Sequence, residues 1–177
     1  MKHTVPALDS PISVPRWRSL LFVPSHVPRF VGAAHERGAD GIILDLEDSV
    51  PQDQKDESRR QLSASVTKVG RKGAYVLVRV NRGLRALAAD LDSAVIAGVD
   101  ALVLPKTASA EWVSEIANAV SELERERNLA QGRIRFVAQI ETPGALQSLS
   151  AIASAHPRMI AMALGPEDFS ASVGGAP

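Results

Sequence analysis

Six short apolar runs punctuate the chain: SLLFVP (19–24), GIILDLE (41–47), YVLVRVN (75–81), ALVLPK (101–106), RFVAQIE (135–141) and MIAMALG (159–165). Each is four to eight residues long and rich in Val, Ile, Leu and Ala, which predicts buried strands. Between them lie segments of helical spacing. The clearest begins at Ala108, where Trp112, Val113, Ile116, Ala119, Val120 and Leu123 fall on one stripe. Ser109 is placed to cap it, and Glu111 in its first turn complements the positive helix end. Strand and helix alternate, and the strands are apolar almost throughout, so a parallel sheet covered by helices is predicted.

The polar residues are distributed on one side only. Strand after strand ends in them: Pro24-Ser25-His26, Asp45-Leu46-Glu47-Asp48, Arg79-Val80-Asn81, Lys106, Glu141 and Glu167-Asp168. No strand begins with a comparable cluster. A (β/α)8 barrel builds its site at the C-terminal ends of its strands, whereas an open doubly wound sheet needs polar groups mainly at its switch point. The expected fold is therefore an α/β (β/α)8 TIM barrel. Eight strands typically need about 250 residues, so a chain showing about six reads as an incomplete barrel. A fragment is favoured over strands supplied from elsewhere or an open sheet. Residues 1–15, with Pro6, Pro11 and Pro15 and no periodicity, read as an N-terminal arm, and 16–177 as the barrel domain.

Composition narrows the function classes. Twenty basic and twenty acidic residues cancel, which gives no field to draw the protein to nucleic acid or to an anionic membrane. No apolar run approaches the roughly 20 residues of a membrane span, and the opening segment lacks a signal-peptide core, so a cytoplasmic protein is expected. The absence of cysteine removes disulfides, thiolate metal sites and a cysteine nucleophile.

The run GIILDLEDSV then raises a question of charge. Alternation along a strand puts Asp45 and Glu47 on one face with Leu44 and Leu46 on the other. If the leucines face the helices, the two acids enter the barrel mouth, where they need a cation, a metal or strong donors to stay ionised. Arg79 comes from the next strand on the face shared with Leu77 and Asn81. Its planar fork suits a carboxylate, either Asp45/Glu47 or a substrate. Lys106 has two readings, an amine that forms a Schiff base or a salt-bridge partner of Glu47 or Asp48. Glu141 and Asp168 end consecutive strands, so their carboxylates could converge on Mg²⁺, which takes hard oxygen ligands and keeps open positions. Gly165 could turn backbone N–H groups toward a substrate carboxylate. His26 is an acid–base candidate in the first loop.

The segments RSLLFVPSHVPRF, GADGIILDLEDSV, VLVRVN, GVDALVLPK, QIETPGAL and LGPEDFSASVG resemble, in order and spacing, the HpcH/HpaI aldolase and citrate lyase β-subunit family over residues 16 to 177. They are most similar to its citrate lyase β-subunit-like branch. The resemblance implies a Mg²⁺-dependent lyase that breaks or forms a carbon–carbon bond, often on a coenzyme A thioester such as citryl-, malyl- or citramalyl-CoA. It places Glu141 and Asp168 on the metal, Arg79 on the oxo acid or its enolate, and Asp45, Glu47 and Asp48 in an acidic network around the metal waters. Gly165, Glu167, Lys106 and Arg18 complete the expected substrate-binding set. Other outcomes are an aldolase on a free 2-oxo acid, a malyl-CoA-like thioesterase, or an inactive paralogue or assembly subunit. The sequence VPSH departs from the glycine-containing first loop common in relatives. A homo-oligomer, trimer or hexamer, is expected, because an incomplete barrel exposes apolar edges.

Overall fold

A computed structural model of the chain describes residues 17–175. The expected N-terminal arm, residues 1–15, lies outside them. The strands are β1 (Leu20–Pro24), β2 (Gly41–Asp45), β3 (Tyr75–Arg79), β4 (Ala101–Leu104), β5 (Arg135–Ile140) and β6 (Met159–Leu164). The helices are α1 (Pro28–Ala34), α2 (Lys55–Val69), α3 (Leu84–Ala94), α4 (Ala110–Glu126), α5 (Pro143–Gln147), α6 (Leu149–Ala153) and α7 (Pro166–Ser172).

All six strands are parallel and lie in the order β1-β2-β3-β4-β5-β6. Each strand pairs with its sequence neighbour, which is barrel winding rather than the reversal of a doubly wound sheet. β1 and β6 do not pair with each other, so the six strands form an arc and the barrel is not closed.

The period-2 pattern decides which side chains go where. Ile42, Leu44, Leu46, Val76, Val78, Val80, Leu102, Leu104, Phe136, Ala138 and Ile140 pack against the helices in the larger core. The alternate positions Ile43, Leu77, Ala101, Val103 and Val137 form a smaller cluster on the concave face, joined by Trp17, Leu20 and Ala161. One residue further along that concave series the polar groups begin: Asp45 follows Ile43, Arg79 follows Leu77, and Gln139 and Glu141 follow Val137. Helix α4 follows its predicted stripe through Val113, Ile116 and Val120, and the Ser109 side chain accepts from the Trp112 N–H at 3.3 Å.

One element runs against a simple polar-out reading. Glu124 of α4 is wholly buried, and it accepts from Arg158 Nη1 at 2.9 Å, Arg158 Nη2 at 2.6 Å, Gly132 N–H at 2.7 Å and Ile134 N–H at 2.9 Å. Arg158 precedes β6 and Ile134 precedes β5, so this ion pair ties the N-terminal ends of the last two strands to α4. Burial pushes the Glu124 carboxyl up, but Arg158 and the two N–H groups outweigh it and hold it below its ordinary range.

Candidate active site

The C-terminal strand ends meet in a cavity of about 550 Å³ lined by Asp45, Arg79, Gln139, Glu141, Gly165 and Asp168, with Phe22, Asp48 and Glu167 at its margin. A larger groove, about 630 Å³, lies along β1 and α1 and includes no carboxylate among its lining residues, so the chemistry belongs to the mouth.

Asp45 is buried and receives four donors: Arg79 Nε at 2.7 Å, Arg79 Nη2 at 2.6 Å, Glu47 N–H at 2.9 Å and Ser49 N–H at 3.2 Å. Burial raises its pKa, yet the Arg79 fork and Ser49 and Glu47 win and leave it below the usual carboxylate value. The Arg79 guanidinium lies over the Phe22 ring at 5.0 Å and keeps Nη1 for Glu47 Oε2, 3.2 Å away. Of the two anions open to Arg79, Asp45 holds the bidentate edge.

Glu47 differs. Burial pushes its carboxyl up, and Asp48 adds to this, against the pull of Arg79 and Lys106. Among the described residues its buried Oε2 has the Arg79 ion-pair contact but no well-aligned hydrogen bond, and Oε1 of Gln139 is buried without a hydrogen-bond partner. The loop bearing Glu47 is held from behind by Lys55, whose ammonium donates to the carbonyls of Leu46 and Glu47, both at 2.8 Å. Asp90 of α3, also buried, accepts from Arg59 Nε at 2.7 Å and from the Asn81 backbone and side chain at 2.6 and 2.7 Å. Asn81 therefore does not follow Arg79 into the mouth: β3 ends at Arg79, the alternation lapses, and the side chain turns to Asp90 and the Leu46 carbonyl.

Glu141 and Asp168 stand at the same rim. Glu141 is buried and accepts from the Lys106 N–H at 2.6 Å. Burial raises its pKa, and the neighbouring Asp168 charge works in the same direction. It packs against Gly165, where a Cβ would lie in collision with Glu141 Oε1 and 2.5 Å from its Cγ. Only glycine leaves that carboxylate its place. The Lys106 ammonium reaches Glu47 Oε1 at 3.1 Å, Asp48 Oδ2 at 3.4 Å and Asp168 Oδ2 at 3.1 Å. Burial lowers its pKa, but these acids more than reverse the effect, so the amine stays protonated. That is the opposite of what a Schiff-base nucleophile needs, and the salt-bridge reading describes Lys106 here.

Arg18 is a correction. It precedes β1, at the N-terminal end of the strands, and its Nε and Nη2 donate to Asp40 at 3.0 and 2.7 Å. Because the strands are parallel, that puts it at the opposite end of the sheet from the mouth, where it cannot share a substrate with Arg79. His26 does not line the mouth, His35 follows α1, and His156 accepts from the Arg158 N–H.

The family model for HpcH/HpaI aldolase/citrate lyase matches residues 18–176. The chain belongs to the HpcH/HpaI aldolase/citrate lyase family. Within the HpcH/HpaI family it is 35% identical to the citrate lyase subunit beta of Haemophilus influenzae, over 86% of this chain and 53% of that protein. It is 31% identical to a (3S)-malyl-CoA thioesterase of Cereibacter sphaeroides, over 89% of this chain and 52% of that one. It superposes on a citrate lyase beta subunit of Mycobacterium tuberculosis complexed with oxaloacetate and magnesium, with a TM-score of 0.66 and 30% identity, covering 89% of this chain and 62% of that one. The chain thus spans about half the length of the relatives it matches. Among its described residues, no helix is long and apolar enough to cross a membrane.

Proposed function

We propose that this protein is a Mg²⁺-dependent carbon–carbon lyase acting on a 3-hydroxyacyl-CoA such as citryl-, malyl- or citramalyl-CoA. The observation that carries the reading is the convergence, at one rim, of Glu141, Asp168, Arg79 and the acids of the second strand. The donor set suits Mg²⁺. Glu141 and Asp168 offer hard oxygens, Gly165 leaves Glu141 its position, and the buried Oε1 of Gln139 has no hydrogen-bond partner among the described residues. No group of three or more metal-ligating side chains occurs among the described residues. Two carboxylates with water and substrate oxygens are nonetheless the usual way this ion is held. Bound there, Mg²⁺ supplies a Lewis acid for the carbonyl and countercharge for the enolate.

In cleavage, a base takes the C3 hydroxyl proton and the C2–C3 bond breaks. Its electron pair goes to C2 as the thioester enolate, which is then protonated, and C3 leaves as the carbonyl of the second product. Glu47, raised in pKa and with Oε2 held, among the described residues, only by the ion-pair contact to Arg79, is the carboxylate fitted to carry the proton. Asp45 fixes the Arg79 fork, so that Nη1, shared with Glu47, sets the guanidinium charge beside developing negative charge. Asp48 and Lys106 close the rim beside them. Gly165 spends its own N–H on the Ile140 carbonyl and Pro166 has none, which leaves the first-turn N–H groups of Glu167 and Asp168 for the substrate carboxylate.

The test is product analysis with citryl-, malyl- and citramalyl-CoA, with and without Mg²⁺. Expected is cleavage that stops with chelator and with Glu141→Ala; turnover indifferent to both overturns the reading. The thioesterase relative supports a second reading on the same site. Free coenzyme A released without carbon–carbon cleavage would select it.

A further inference from the structure

Lys106 joins the two carboxylates at the rim in different ways. Its backbone is left-handed, φ +48°, a region that L-residues other than glycine seldom occupy. Arg82 Nε holds its carbonyl at 3.0 Å, and its N–H points to Glu141 Oε2 at 2.6 Å. Its ammonium pairs with Asp168 and Glu47, both at 3.1 Å, and with Asp48 at 3.4 Å, rather than with Glu141. So Glu141 is touched by a neutral N–H, while Asp168 already has a cation.

We propose that the Lys106 ammonium is a built-in competitor for the divalent ion: it occupies Asp168 until the ion arrives, then withdraws onto Glu47 and Asp48, and in this way weakens metal affinity. The inference rests on the assignment of Glu141 and Asp168 as the metal-holding pair. Physically, a cation that docks on Glu141 must share or displace the ammonium to gain Asp168, and like charges at this separation repel strongly in a half-buried site. Displacement is inexpensive because two of the three anionic contacts of Lys106 survive it. Nor does the ammonium close the site. Among the described residues, five carboxylates, Asp45, Glu47, Asp48, Glu141 and Asp168, share two cations at the rim, Arg79 and Lys106, with Lys55 behind the loop.

The alternative is that Lys106 builds the site by holding Asp168 in place, and the two differ in sign. Mn²⁺ serves as the probe, titrated by calorimetry and electron paramagnetic resonance into the 177-residue chain. Wild type, Lys106→Met, Lys106→Gly and Lys106→Arg are compared at a single pH. The glycine variant suits the left-handed backbone, so it keeps the question open to measurement if the methionine variant folds poorly. Competition predicts that Lys106→Met and Lys106→Gly bind Mn²⁺ about tenfold more tightly than wild type, with Lys106→Arg close to wild type. Unchanged or weaker binding in both uncharged variants overturns the inference. If wild type binds Mn²⁺ and Glu141→Gln does not, the metal assignment stands, and unchanged or weaker binding in the lysine variants then sinks the inference alone; if wild type shows no saturable binding, the metal assignment falls and the inference with it.

Discussion

Replacing Asp45 by Asn keeps the shape of the side chain and removes its charge from beneath Arg79. In the native fold four donors converge on this carboxylate, two of them from a guanidinium that is itself largely buried. An amide offers one acceptor oxygen and turns an NH₂ group toward the remaining donors, so at least one Arg79 contact is lost and a repulsive one replaces it. Breaking a buried ion pair costs about 3–5 kcal/mol, chiefly because the surviving charge has no compensation. Arg79 has a fallback in Glu47, 3.2 Å from Nη1, which argues for the lower end, about 3 kcal/mol. Urea unfolding followed by circular dichroism at pH 7 should show a lower midpoint with the slope preserved.

The pH dependence then separates charge from shape. The Asp45 carboxyl is depressed in the fold, so its stabilisation is complete above the ordinary carboxylate range and is lost as pH falls through the depressed value. The variant has no such proton to gain. Its deficit should therefore be full at pH 7 and shrink as pH falls below about 4. A deficit under about 1 kcal/mol, or one that stays constant into acid, would refute the account of Asp45 as the anion that carries Arg79.

Gly165→Ala should push the Glu141 carboxylate off its hydrogen bond with Lys106, since the new Cβ would lie 2.5 Å from Glu141 Cγ; about 1–3 kcal/mol of overpacking and weaker Mn²⁺ binding are expected, read by thermal melts and calorimetry. Arg158→Met strands Glu124 in the core with only two N–H donors, and should cost about 3–5 kcal/mol in urea unfolding. That ion pair lies at the other end of the strands, so Mn²⁺ affinity below the unfolding transition should be unaltered; a parallel loss of metal binding would contradict the placement.

The six strands and their two faces could be read from the sequence, because alternation is a property of near neighbours and needs no knowledge of the rest of the chain. The same rule put Asp45, Glu47 and Arg79 toward one mouth, and the position of Glu141 at a strand end put it there too. Tertiary structure decided how those charges pair. Arg79 could have served Asp45, Glu47 or a substrate alone, and only the β2–β3 register, with Asp45 opposite Arg79, commits its bidentate edge. Lys106 meets acids 58 and 59 positions upstream, a juxtaposition that rests on strand curvature and on one left-handed backbone angle. Glu124 and Asp90 look like solvated helix acids until partners remote in sequence, Arg158 and Arg59, are brought beside them. Arg18, expected in the substrate-binding set, lies elsewhere because a residue before a parallel strand is at the far end from one after it. Local periodicity sets which face a side chain takes; which opposite charge it meets there depends on the packing of segments that the periodicity does not relate to one another.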